Sequence, residues 1–155
     1  MKFLIAIWLG ATFLSATTAS SGPYKPTPIS PFDEYGEISW EAEKARLDNF
    51  AIQLQQDSDL VGYILVYDAL RGCPGEAQAR AIRAKSYMVE HRGVLWNRVV
   101  WRPEGYQPEI HTVLQPMKRN VILPRPFLGP TFAAIDGPAS KECRIKISRI
   151  RKSKW

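Results

Sequence analysis

The sequence predicts an α/β fold of the α+β kind. It is a two-layer sandwich in the order β-α-β-α-β-β, a mixed sheet with two helices on one face. Three observations carry this expectation. Two segments, 40–56 and 75–91, repeat apolar residues at helical spacing. Between them "LVGYILVYD" is a nearly continuous apolar and β-branched run of strand length. After the second helix, "NRVVWRP" and "EIHTVLQP" are short extended stretches bounded by turn residues. A strand, a helix and a further strand imply a right-handed crossover, which lays both helices on the same side of the sheet.

The elements follow in order. "FDEYGEIS" is short and mixed, fitting a first edge strand. Ser39 is suited to N-cap the first helix, and Glu41 and Glu43 fall in its first turn, where the helix dipole favours acids. Leu47, Phe50, Ala51 and Leu54 form its apolar stripe, and "DSD" ends it. The run at 60–68 lacks polar alternation, as a central strand flanked by neighbours does. "ALRGCPG" makes the next loop. The second helix carries the small stripe Ala77, Ala81, Ala84 and Met88, which lets it lie close to a sheet, and Gly93 stops it. "PEGYQP" then reads as the turn of an antiparallel hairpin joining two further strands. In "LPRPFLGPTFAAIDGP" four prolines oppose a regular helix or a central strand. "CRIKISRI" alternates roughly, as a short edge strand would, and "RKSKW" is expected to fray.

The chain divides at four places. Residues 1–19 combine Lys2, the apolar run Phe3 to Leu14 and a small-residue stretch, the pattern of a cleaved secretory signal too short to span a bilayer comfortably. Residues 20–31 are a Ser/Pro-rich, polyproline-like linker. Residues 32–117 hold the elements above, and 118–155 form a proline-rich and then basic extension. After cleavage no stretch reaches membrane-span length, so the expected product is exported, periplasmic or extracellular, without a transmembrane span.

Such a compartment permits oxidation, and two cysteines remain, Cys73 and Cys143. A bridge between them would pin the tail to the loop after the central strand, closing about seventy residues and contributing roughly 4 kcal/mol in the chain-entropy model. Two free thiols are the alternative. These cysteines, with the isolated His91 and His111, lack zinc-ligand spacing, and no metal or other cofactor is expected. No nucleophile motif or phosphate-cradling loop accompanies the histidines, which argues against an enzyme.

Charge is concentrated at the end of the chain. The whole chain carries a net +6, and residues 139–155 alone carry seven basic residues against one acid, Glu142. The cations Lys141, Arg144, Lys146, Arg149, Arg151, Lys152 and Lys154, interleaved with isoleucines, suit a solvated, charge-protected edge strand first and adhesion to an anionic surface second. Export argues against nucleic acid as a partner.

Residues 32–116 resemble the OmpA-like C-terminal domain, a family that binds the peptidoglycan stem peptide. The likeness rests on a helix, "GYILVYD", a loop, "AQARAIRAKSYMV", Gly93 and "NRVVWRPEGY". Asp68 falls on the family's acid and Arg83-Ala84 on its Arg-Ala, with 15 positions from acid to arginine as in the family. The resemblance implies that Asp68 accepts an ammonium and Arg83 clamps a carboxylate of the ligand; the nearby cations Arg71 and Arg80 are further candidate ligand contacts. One anion and one forked cation a few ångströms apart suit a zwitterionic terminus. The chain departs from the family signature at Tyr67, Arg71, Glu76 and Ala79-Arg80. Two functions therefore stand side by side. One is non-covalent binding of peptidoglycan through Asp68 and Arg83. The other is an interaction module on the same frame that contacts an envelope protein or an anionic surface through its basic extension.

Overall fold

The computed structural model describes residues 30–121 and 140–153. The expected leader 1–19, most of the linker, the proline-rich stretch and Lys154 lie outside the described residues. Within them the order is β1 (Asp33–Tyr35), α1 (Trp40–Gln56), β2 (Leu60–Ala69), α2 (Glu76–Glu90), a short 3-10 turn (Trp96–Arg98), β3 (Val99–Gln107), β4 (His111–Lys118) and α3 (Lys141–Lys152). The fold is α+β with a mixed four-stranded sheet, ordered β1-β4-β2-β3.

Local chemistry sets the helix boundaries. Ser39 caps α1 by accepting from the N–H of Ala42 at 3.2 Å, satisfying one of the helix's orphan donors. The last turn of α1 has no basic residue of its own. Arg98 serves instead, donating to the carbonyls of Leu54, Asp57 (2.6 Å) and Leu60 (3.0 Å). This one guanidinium ties the helix end to the start of β2 and to the turn before β3. α2 stops at Glu90, ahead of Gly93.

One face of the sheet meets both helices. Ile64 and Val66 of β2, Val99 of β3 and Leu114 of β4 join Leu47, Phe50 and Leu54 of α1 and the alanine stripe of α2 in a single core. Each large side chain fully buried there contributes about 1.5–3 kcal/mol. The contact between α1 and β2 is close because residue 62 has no side chain. A Cβ on Gly62 would lie 2.5 Å from Leu54 Cδ1 and 3.1 Å from Phe50 Cζ. Leu54 and Phe50 are both fully buried and have nowhere to retreat. Gly62→Val is therefore expected to cost about 1–3 kcal/mol by overpacking, read as a lower urea midpoint, whereas exposed Gly36 tolerates alanine.

Two expectations are corrected. β3 and β4 do not form a hairpin: β2 lies between them, paired parallel to β3 and antiparallel to β4. "PEGYQ" belongs to β3 itself. Its register against β2 slips so that Val66 faces Pro103 and Tyr67 faces Gly105, leaving Glu104 as the extra residue of a bulge. Gly105 has φ +112, open to glycine and costly for other residues. The turn-like composition thus encodes a bulge, and the proline is tolerated because β3 is an edge strand. The second correction concerns "CRIKISRI", which forms no edge strand but lies inside α3. Ser140 caps this helix, accepting from the Cys143 N–H at 3.2 Å. Cys143, Ile147 and Ile150, spaced i, i+4, i+7, turn to one side, and the helical period overrides the rough alternation.

Candidate functional site

Asp68 stands near the end of β2, half-buried, and its Oδ1 accepts from the N–H of Ala77 at 3.0 Å. The N-cap residue of α2 is Gly75, which offers no side-chain bond. The strand's carboxylate thus performs the capping that the helix's own sequence lacks. Burial pushes the Asp68 carboxyl above its ordinary range, with nearby Glu76 adding to the rise and the Ala77 N–H opposing it.

Arg83 points elsewhere. Its Nη2 donates to the Glu43 carboxylate, its Nη1 to Ser153 Oγ at 3.0 Å, and the guanidinium lies 4.0 Å from the centre of the Trp40 ring. The side chain is only 8% exposed, and that of Glu43 2%. Tyr35 also donates its hydroxyl to Glu43, at 3.3 Å. Burial raises the Glu43 carboxyl, with Arg83 pulling it back, while burial lowers the Arg83 guanidinium against the pull of Glu43. The two anchors implied by the resemblance are thus committed inside the molecule, Asp68 to a helix start and Arg83 to a buried acid. They do not face a common open pocket among the described residues.

Arg80 joins a second cluster. It donates to Glu76 Oε1 from Nε at 3.1 Å and from Nη2 at 2.8 Å, and to Glu37 Oε1 from Nη2 at 2.8 Å. Lys146 of α3 reaches the same oxygens, 2.8 Å from Glu76 and 3.5 Å from Glu37. Burial alone would raise the Glu76 carboxyl, but hydrogen bonds from Lys146 and Arg80 outweigh it and hold the group below its ordinary range. Arg71, the remaining cation of the expected ligand set, is exposed in the loop after β2.

Cys73 and Cys143 form a disulfide, with Cα atoms 5.2 Å apart and a sequence separation of 70. It joins the loop before α2 to the first turn of α3. Beyond that joint, Lys141, Arg144, Arg149, Arg151 and Lys152 are exposed, and Lys146 alone is drawn toward the acids of α2 and its neighbour Glu37. Lys141, Arg144, Ile145, Ser148, Arg149 and Lys152, at helical spacing, line an open depression of about 390 Å³. The half-exposed apolar surface of Ile145 sits within this ring of cations.

The sequence reading passed over Glu43 and Trp40, taking Glu43 for a dipole residue of the first turn. A signal was present: Glu43 falls on the same stripe as Leu47, Phe50 and Leu54, at i, i+4, i+7 and i+11. A carboxylate on an apolar face requires a buried partner. Among the described residues no three His, Cys, Asp or Glu side chains are grouped to hold a metal ion, and no helix is long and apolar enough to cross a membrane. No family model, no curated protein and no solved structure matches the chain.

Proposed function

We propose that the protein is an interaction module of the cell envelope that binds an anionic surface through α3. The single observation behind this reading is the outer face of that helix. Lys141, Arg144, Arg149, Lys152 and Ile145 share one side, solvent-facing, on an element held at its start by a disulfide. A fixed row of guanidinium and ammonium groups around an apolar side chain suits a phosphate-bearing headgroup layer, with the isoleucine entering the interface. Pinning the helix also lowers the ordering cost of docking relative to a free basic tail. The stem-peptide reading draws less support from the geometry, since a ligand carboxylate would have to displace Glu43 from Arg83 in a closed interior.

Co-sedimentation with phosphatidylglycerol vesicles tests the reading. Each cation near such a surface contributes about 1 kcal/mol, so the triple variant Arg144→Gln/Arg149→Gln/Lys152→Gln should weaken binding by roughly 100-fold. The wild type should release its vesicles as salt is raised and ignore phosphatidylcholine vesicles. Asp68→Asn should bind as the wild type does. If the triple variant bound undiminished, α3 would not be the docking element. Retention on isolated cell walls that disappears in Asp68→Asn would return the function to the strand-end acid.

A further inference from the structure

We propose that α3 is a covalently latched cover, released by reduction of Cys73–Cys143, over the buried charges of Glu76, Arg80 and Arg83, with exposed Glu37 at their rim. The argument begins with how little else secures this helix. α3 has 12 residues, and Ile150 is its one buried side chain. Helices of that length are marginal in water on their own. Its polar ties are the Lys146 ammonium on Glu76 and Glu37 and the Ser153 hydroxyl on Arg83. Lys146 is itself exposed, so screening weakens its share. The disulfide is the only covalent hold on the near end of the helix among the described residues.

The bond is also placed where it breaks readily. Both cysteines are partly exposed, within reach of a small dithiol. Cys143 lies in the first turn of α3, between Glu142 and Arg144 with Lys141 two residues before it, and Cys73 comes three residues before α2. Helix N-termini and neighbouring cations stabilise a thiolate, which makes it a better leaving group and favours the reduced pair. The step is an ordinary exchange. A thiolate of the reductant attacks one sulfur, the S–S bond breaks and the other cysteine leaves as thiolate. The reductant's second thiol then resolves the mixed disulfide. Two electrons and two protons pass to the protein, leaving two cysteine thiols and an oxidised dithiol.

Release would invert the local surface. With Lys146 gone, Glu37 and Glu76 keep only Arg80 as partner among the described residues, and the buried Glu76 carboxylate joins the already exposed Glu37 in reach of solvent. The core below loses little, because Arg83 retains Glu43 and Trp40, and only the buried Ile150 and the partly buried Ile147 are withdrawn as apolar contacts. This holds whatever the outer face of α3 binds.

Amide hydrogen exchange on the full chain, with and without dithiothreitol, tests the latch. Reduction should speed exchange across residues 144–152 by at least about tenfold, as for a local opening, while β2 amides keep their protection. The Cys73→Ser/Cys143→Ser variant should give the same pattern with no reductant present. Unchanged protection of α3 after reduction, or in that variant, would overturn the proposal. So would equal acceleration in β2, since the bridge would then be holding the whole domain together.

Discussion

Arg83→Ala is expected to lower the free energy of unfolding by about 3–5 kcal/mol, the range for stripping one partner from a buried ion pair. The substitution leaves the Glu43 carboxylate, 2% exposed, with the Tyr35 hydroxyl as its remaining bond. It also removes the guanidinium stacked on Trp40. Replacing both charges, as in Glu43→Leu/Arg83→Leu, should recover much of the loss, because an apolar pair of similar volume has no desolvation cost to offset. The effect has a characteristic pH dependence. Burial holds the Glu43 carboxyl above its unfolded value even with Arg83 present. Losing the arginine removes the opposing pull, so the folded-state value rises further. A raised folded value means that the protonated form suits the native state. The contribution is present below the unfolded value and lost as pH climbs through the folded one. The deficit of Arg83→Ala should therefore shrink on acidification from about pH 7 toward pH 4. Urea unfolding across that range measures it. A variant that loses no stability, yet no longer binds cell walls, would instead mark Arg83 as a ligand contact.

Phe50→Ala should be comparably damaging, at about 3–5 kcal/mol, but by a different cause. Phe50 is 0% exposed and lies at the meeting of α1 with β2. Its ring stands 5.3 Å from that of Phe32, which it anchors just ahead of β1. Truncation removes the transfer free energy of the ring and leaves a void that neighbours fill only in part. Because Gly62 brings the strand so near, little slack exists for collapse. The loss should be indifferent to pH, unlike that of Arg83→Ala, and the denaturant slope should stay unchanged while the midpoint falls. Ile52→Ala, two residues on and 43% exposed, should remain within about 0.5 kcal/mol of wild type.

Much of the fold was legible because short-range rules and tertiary burial agree in it. The bounds of α1 at Trp40 and Gln56 follow from the Ser39 cap and an apolar stripe that the core then uses. β2 was readable as a central strand because both its neighbours bury it. Where local and global signals diverge, the reading failed. "PEG" has turn composition, but in β3 those residues make a bulge, and only the sheet order reveals that the strand continues. α3 was obscured because Arg144, Ile145, Lys146 and Ile147 alternate for four residues, too few to outweigh a capped helix with Ile147 and Ile150 turned inward. At the candidate site, the spacing of Asp68 and Arg83 was visible, whereas their partners were not. Glu43 is 40 positions from Arg83, and Ser153 is 70. Such pairings arise from the packing of α1, α2 and α3, which no local pattern encodes.

The two borders of the sheet bear on how the protein behaves when concentrated. β1 is three residues long, and β3 is broken by Pro103 and the bulge at Glu104 and Gly105. Neither offers an incoming chain the long, flat row of free donors and acceptors on which strands stack into fibrils. Solutions of the folded protein should accordingly stay clear of edge-to-edge polymerisation at these two strands, and the irregularity that disguised the second half of β3 as a turn serves as its protection.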